Sequence, residues 1–281
     1  MPHLRGAEWI TIPAFSWLMA LAWRRRDLDR ARRVNITALG AGGLALTVFV
    51  SVALPRLVPP LAASVTRDWI PLILLLAFYQ QAGQFITHAD TEFEARLERL
   101  DHSLVFPALE WCGRHAAGAW ILTSLELAYM SYYVALPLAP ATLYLLGQGR
   151  DIGRLWTTVM LASYGSLGLV PFVQMRPPRL LGEKTSVALP AGKVRAFNLW
   201  ILRRGSIHAN TFPSAHVAIA TACALAMLEL CPLWVGLGFM AIAIGIALGA
   251  VAGRYHYGVD AIVGVAFAFA AFLAGTLLAT A

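Results

Sequence analysis

The chain has 281 residues, 59% of them hydrophobic and only 13% charged, with a mean hydropathy of +0.66. That composition excludes a soluble globular enzyme and a disordered chain, and it fits an all-α polytopic membrane protein. The net charge of +7 falls in short loops between apolar segments, so membrane lipids are the expected partners and nucleic acid is not.

The first apolar segment, 7–23, is short for a span and stops at Arg24-Arg25-Arg26; it is read as crossing with some strain, with an interfacial helix as the alternative. Seven further segments are long and apolar enough to cross a bilayer of roughly 30 Å: 36–54, 69–86, 119–146, 156–174, 212–230, 233–252 and 257–280. Between them, 87–118 sets Phe93, Leu97, Leu100 and Leu104 on one helical face, with Glu94, Glu98 and Asp101 elsewhere, which reads as a scaffold helix on the membrane surface. The connection 175–211 is read as a functional loop; it carries seven basic residues and one acidic residue and is too long to be a simple turn. Cys112, Cys223 and Cys231 are odd in number and lack metal-ligand spacing, so neither a disulfide framework nor a metal site is expected. The organisation expected is an N-terminal membrane region with an arginine-rich loop, 1–60, followed by a catalytic membrane domain, 61–281.

Alternation of the spans puts 17 of the 22 Lys and Arg residues on one side, and that side also bears the histidine motifs. With Arg176, Arg179 and Arg254 set aside for chemistry the ratio is still 14 to 5, which places the motif face in the cytoplasm, with a bacterial inner membrane as the expected setting.

The ionisable groups on that face converge. Arg176-Pro177-Pro178-Arg179 ends one span, Ser214-Ala215-His216 opens the next, and Arg254, His256 and Asp260 open the last. Arginines match phosphate oxygens with forked donors, and a helix N-terminus adds amides, with Pro213 suited to helix initiation and the Ser214 hydroxyl left to face an anion. Phosphate binding is therefore expected at Arg176, Arg179, Ser214 and Arg254. Two histidines divide phosphoryl transfer between a nucleophile and an acid. Asp260 follows His256 by four residues, so carboxylate and imidazole share a helical face and the carboxylate can fix the tautomer. His256 is thus read as nucleophile, Asp260 as its orienting partner and His216 as general acid.

The "PSAH" of 213–216 and the "HYGVD" of 256–260, each opening an apolar helix, resemble the second and third signature motifs of the type 2 phosphatidic acid phosphatase superfamily. The resemblance spans roughly 119–280, and "HSLVFPALEW", "PPRLL", "NTFPSAHVA" and "GRYHYGVD" are closest in texture to the inositol phosphorylceramide synthase-like branch. It implies a six-helix transmembrane core with one or two extra N-terminal helices, and a phosphohistidine reaction without metal or other cofactor. The expected substrate is a phospholipid or an isoprenoid or sphingolipid phosphate. Two positions depart from the family pattern: Leu169 stands where the first motif has lysine and Ala250 where the third has arginine, so Arg179 and Arg254 are read as substitutes.

Glu126, the one acid deep in an early span, is read either as lining the site or as a structural hydrogen-bonding group, and His208 as a possible pocket residue. His3, His88, His102 and His115 read as ordinary interfacial polar groups. The leading function is lipid phosphatase, with lipid phosphotransferase as the alternative. A transporter using Glu126, Arg254, His256 and Asp260 is the competing class, disfavoured because no paired halves are visible.

Overall fold

A computed structural model describes residues 4–181, 192–207 and 209–280. No strand is present among the described residues; the chain is a bundle of helices. In chain order these are α1 (Gly6–Arg24), α2 (Arg30–Leu57, continuous through a π-turn at Phe49–Ala53), α3 (Pro60–Gly83), α4 (Thr91–Leu104), α5 (Phe106–Arg114), α6 (Ala116–Met130), α7 (Tyr132–Leu145), α8 (Ile152–Leu167), α9 (Lys193–Gly205), α10 (Ala215–Leu230), α11 (Leu233–Ala252) and α12 (Gly258–Thr280).

Four of these helices, α2, α3, α11 and α12, are long and apolar enough to cross a membrane, and the pair α6 and α7 makes a fifth. The segment 119–146 is therefore not one continuous span: it bends by 51° between Met130 and Tyr132. At the break the Ser131 hydroxyl donates to the Ala128 carbonyl, a side-chain bond into the helix ladder of the kind that bends helices. The bend matters for function because Tyr129, Tyr132 and Tyr133 sit around it.

The shorter α10 lies at the centre, packed on α8, α11 and α12. Its sequence is apolar on every side, which suits a fully enclosed helix. Lipid tails are as apolar as leucine, so packing here depends on close approach, and α10 supplies alanines at 215, 218, 220, 222, 224 and 226. Gly264 of α12 serves the same end: a β-carbon there would lie 2.9 Å from the Ser214 carbonyl oxygen.

The segment 7–23 is helical as α1, which buries Phe15, Leu18 and Ala22 and packs against α2 and α8. Its 19 residues extend about 28 Å at 1.5 Å per residue. The charges at its start are neutralised in place, with Glu8 paired to Arg67 and Arg5 to Asp68 of α3. One hydrophobic cluster runs from Ala7 to Ala261, so the N-terminal helices share the core of the rest.

Two connections differ from their sequence reading. The segment 175–211 contains α9, a helix with Asn198 and Leu202 turned inward and Phe197 and Trp200 stacked outside. In α4 the inward face carries Glu94, Leu97 and Asp101, whereas Leu100 and Leu104 are 45% and 60% exposed. The buried face of α4 is thus partly acidic, and arginines from the site loops account for it.

Candidate active site

The turn between α11 and α12 is built by hydrogen bonds from the amides of Tyr255 and His256 to the Ala250 carbonyl, with Arg254 in the left-handed region at φ 59°. Asp260 follows in the first turn of α12. Its Oδ2 lies 3.3 Å from His256 Nδ1 and also accepts a hydrogen bond from Asn210 Nδ2. With Nδ1 held, Nε2 is the ring nitrogen free for chemistry. The Asp260 main-chain carbonyl accepts the Ser214 amide at 3.0 Å, which pins the start of α10 to the start of α12. His216 is carried on that first turn of α10, its ring centroid 5.7 Å from that of His256, flanked by Tyr129 at 5.5 Å and Tyr132 at 4.7 Å.

Both histidines line a cavity of about 360 Å³. Its polar end is formed by His216, His256, Arg179 and Tyr255; its other walls include Leu72, Leu75 and Leu76 of α3 and Leu136 and Pro137 of α7. Arg179 is the one arginine among the described lining residues. Its amide donates to the Arg254 carbonyl at 3.0 Å, and its guanidinium lies 5.4 Å from the Tyr255 ring centroid. Burial lowers its pKa from the ordinary guanidinium value.

The other two arginines are engaged elsewhere. Arg176 Nη2 meets Glu94 Oε2 at 2.7 Å while its main-chain amide donates to Glu94 Oε1 at 2.6 Å; the Glu94 carboxylate raises the guanidinium pKa. Arg254 donates through Nη2 to Glu98 at 2.8 Å and through Nη1 to Asp101 at 3.1 Å. Neither lines the cavity. Ser214 is fully buried, and its hydroxyl accepts the Val217 amide at 3.4 Å as the N-cap of α10, so it does not face the cavity as the sequence reading expected.

Glu126 also lies outside the cavity lining. It is buried and accepts hydrogen bonds from Asn198 Nδ2 at 2.9 Å and Tyr255 Oη at 2.7 Å, and it is paired with Arg195. Tyr255 stacks on Tyr129 with centroids 4.5 Å apart. Glu126 thereby ties α9 and the aromatic wall of the site to α6. His208 lies outside the described residues. Asn210, Tyr129, Tyr132 and Tyr255 were not singled out as site residues in the sequence; adjacency to the two histidine motifs, at 210 and 255, was the available signal for two of them.

The PAP2 superfamily matches residues 95–274, which is 180 of the 281 residues. The chain belongs to that superfamily. Membership supports a phosphatase-type enzyme, and together with its apolar helices it makes this chain an integral membrane protein. The matched region contains both histidines, Asp260 and Arg179, but not α3, which supplies one apolar wall of the cavity. No curated protein and no solved structure matches the chain.

Proposed function

We propose that this chain is a lipid phosphatase that cleaves a lipid phosphate or diphosphate through a phosphohistidine at His256. One observation carries the reading: the His256 and Asp260 pair and His216 meet at a cavity whose lining is mostly leucine, isoleucine and tyrosine side chains. Leu76 and Tyr133 line that cavity and are also exposed on the outside of the bundle, consistent with a lipid reaching it between α3 and α7. In the first step His256 Nε2 attacks phosphorus, the bond from phosphorus to the lipid oxygen breaks, and His216 gives that oxygen its proton. Water then attacks phosphorus and gives a proton to His216, and the bond from phosphorus to His256 Nε2 breaks, releasing phosphate. Arg179 binds the phosphate oxygens throughout, while Arg176 and Arg254 position the loops that carry it. Purified protein in liposomes, offered a panel of phosphorylated lipids, is expected to release inorganic phosphate; no release from any member overturns the reading.

Phosphotransfer to an alcohol is the second reading, and it keeps the likeness to the inositol phosphorylceramide synthase-like branch. It is favoured by the burial of the nucleophile: His256 is only 4% exposed, and Ile201, Leu202 and Gly205 of α9 are among the residues lining the cavity. A phosphohistidine screened from bulk water persists for capture by a lipid-borne or polyol hydroxyl. Including inositol in the same assay separates the two readings by the phosphorylated product formed.

The charge on phosphate is met here by Arg179 and the protons by histidines, while the carboxylates of α4 are each committed to an arginine. Turnover is therefore expected to survive EDTA and to fall with vanadate, which imitates pentavalent phosphorus. Loss in EDTA that magnesium restores overturns that expectation.

The site is proposed to face the cytoplasm. Supporting this, the arginine-rich connection between α1 and α2 is fastened to the site end of the bundle: Arg25 donates to the Pro171 carbonyl at 2.7 Å and Arg32 to the carbonyls of Gln84 and Ile86. Such a cluster is retained in the cytoplasm. A C-terminal fusion to alkaline phosphatase is expected to be active and one to green fluorescent protein dark; a fluorescent tail reverses the assignment.

A further inference from the structure

The helix α9 has two unlike faces. Inward, Asn198 and Leu202 are buried, Arg195 is paired with Glu126, and Ile201, Leu202 and Gly205 line the cavity. Outward, Lys193, Phe197, Trp200 and Arg204 recur at helical spacing and form one stripe along the helix. Phe197 and Trp200 are 53% and 44% exposed and stack with centroids 5.7 Å apart, and the Arg204 guanidinium lies 4.4 Å from the Trp200 ring centroid. Arg203, beside the stripe, is exposed as well.

The charge on this stripe is unanswered. On α4 and α5 an exposed arginine is met by an acid of its own helix, Arg96 by Glu92 and Arg114 by Glu110. α9 contains no acid, and Lys193, Arg203 and Arg204 have no carboxylate partner among the described residues. Its depth is set by Arg195, which donates to the Gly253 carbonyl at 3.3 Å, just past the end of the membrane-crossing α11. That is the level at which a bilayer passes from hydrocarbon to headgroups. There, aromatic rings rest among the lipid backbones and lysines and arginines reach the phosphates, with a net preference for anionic lipid. We infer that α9 binds the headgroups of anionic lipids through this stripe, and that the lipid surface so bound steadies the cavity wall on the helix's other face.

The test places the full chain, one copy per nanodisc, in phosphatidylcholine with and without phosphatidylglycerol, and follows amide hydrogen exchange over 193–205. Exchange is expected to be slower by roughly tenfold or more in the anionic discs, since an anionic surface is worth about fivefold for each cation beside it. High salt should shrink the difference. Lys193→Gln, Arg203→Gln and Arg204→Gln combined should abolish it with little change in melting temperature in detergent, because none of the three strands a described carboxylate. Arg195→Gln removes the same charge from the inward face, so it should lower the melting temperature and leave the lipid difference in place. Equal exchange in both discs, or a difference that survives the triple variant, overturns the contact. Protection that appears only when two copies share a disc assigns the stripe to self-association and overturns it too. A second arm rests on the phosphatase reading: hydrolysis of p-nitrophenyl phosphate should be severalfold faster in the anionic discs, although these repel the substrate, and equally slow in both for the triple variant. An exchange difference without a turnover difference overturns the steadying of the wall and keeps the contact. Absence of turnover, of this substrate and of every phosphorylated lipid, overturns the phosphatase reading and leaves the exchange result standing.

Discussion

Replacing His256 with alanine is expected to lower turnover of a lipid phosphate by roughly 10³-fold or more, because the variant has no nitrogen at which to form the covalent intermediate. The geometry makes the two histidines unequal. His256 has Asp260 at its Nδ1, which fixes the tautomer and stabilises the cation that forms as Nε2 bonds to phosphorus. His216 has no such carboxylate among the described residues; it is set between the rings of Tyr129 and Tyr132. The expected contrast appears on changing the leaving group. With p-nitrophenyl phosphate the departing phenolate needs no proton, so His216→Ala should regain much of its activity and accumulate an acid-labile phosphoenzyme, whereas His256→Ala should do neither. Equal losses for both variants on both substrates would remove the division of roles.

The helical class and most of the helices were legible from hydropathy, because a lipid-crossing backbone must satisfy its own hydrogen bonds and the sequence has little freedom there. The break near Ser131 was not legible. A serine followed by tyrosines and two prolines is compatible with a straight apolar span until packing around α10 decides. The direction of α4 was not legible for a different reason. Phe93, Leu97, Leu100 and Leu104 obey helical spacing, but so do Glu94, Leu97, Glu98 and Asp101, and hydrophobicity alone prefers the first set. What decides is the arrival of Arg176 and Arg254 from positions 82 and 156 residues further on.

The same blindness affects the arginines of the site. A guanidinium that will meet phosphate and one that will meet a carboxylate look alike in sequence, since both geometries use the same forked donors. Arg176, Arg179 and Arg254 could therefore be grouped but not sorted. Sorting needs the partner, and only Arg179 is left facing the cavity. Ser214 makes the parallel point for helix ends: its place before an apolar run marks a helix start but does not say whether the hydroxyl meets a ligand or the helix, and the hydroxyl that caps is not available for a ligand.

Arg254→Ala is expected to act chiefly on stability, and Arg179→Ala chiefly on catalysis. The Arg254 side chain is 6% exposed and bridges Glu98 and Asp101, the latter fully buried. Removing it strands two carboxylates against α12 and should cost about 3–5 kcal/mol, enough to lower the melting temperature in detergent markedly. The pH dependence supplies the check. Burial already pushes the Asp101 pKa up to about 6, with Arg254 acting in the opposite direction. A carboxyl whose folded pKa lies above its unfolded value contributes most stability when both states are protonated, and loses that contribution as pH rises from about 4 through 6. Without Arg254 the folded value rises further, so the defect should be small near pH 5 and large at pH 8. Arg179→Ala, by contrast, should reduce kcat/KM at either pH with little change in melting temperature, since it leaves no carboxylate unpaired. A uniform melting defect across that pH range would deny the Asp101 contact its role, and an Arg254→Ala protein that melts normally but binds vanadate weakly would return Arg254 to the phosphate.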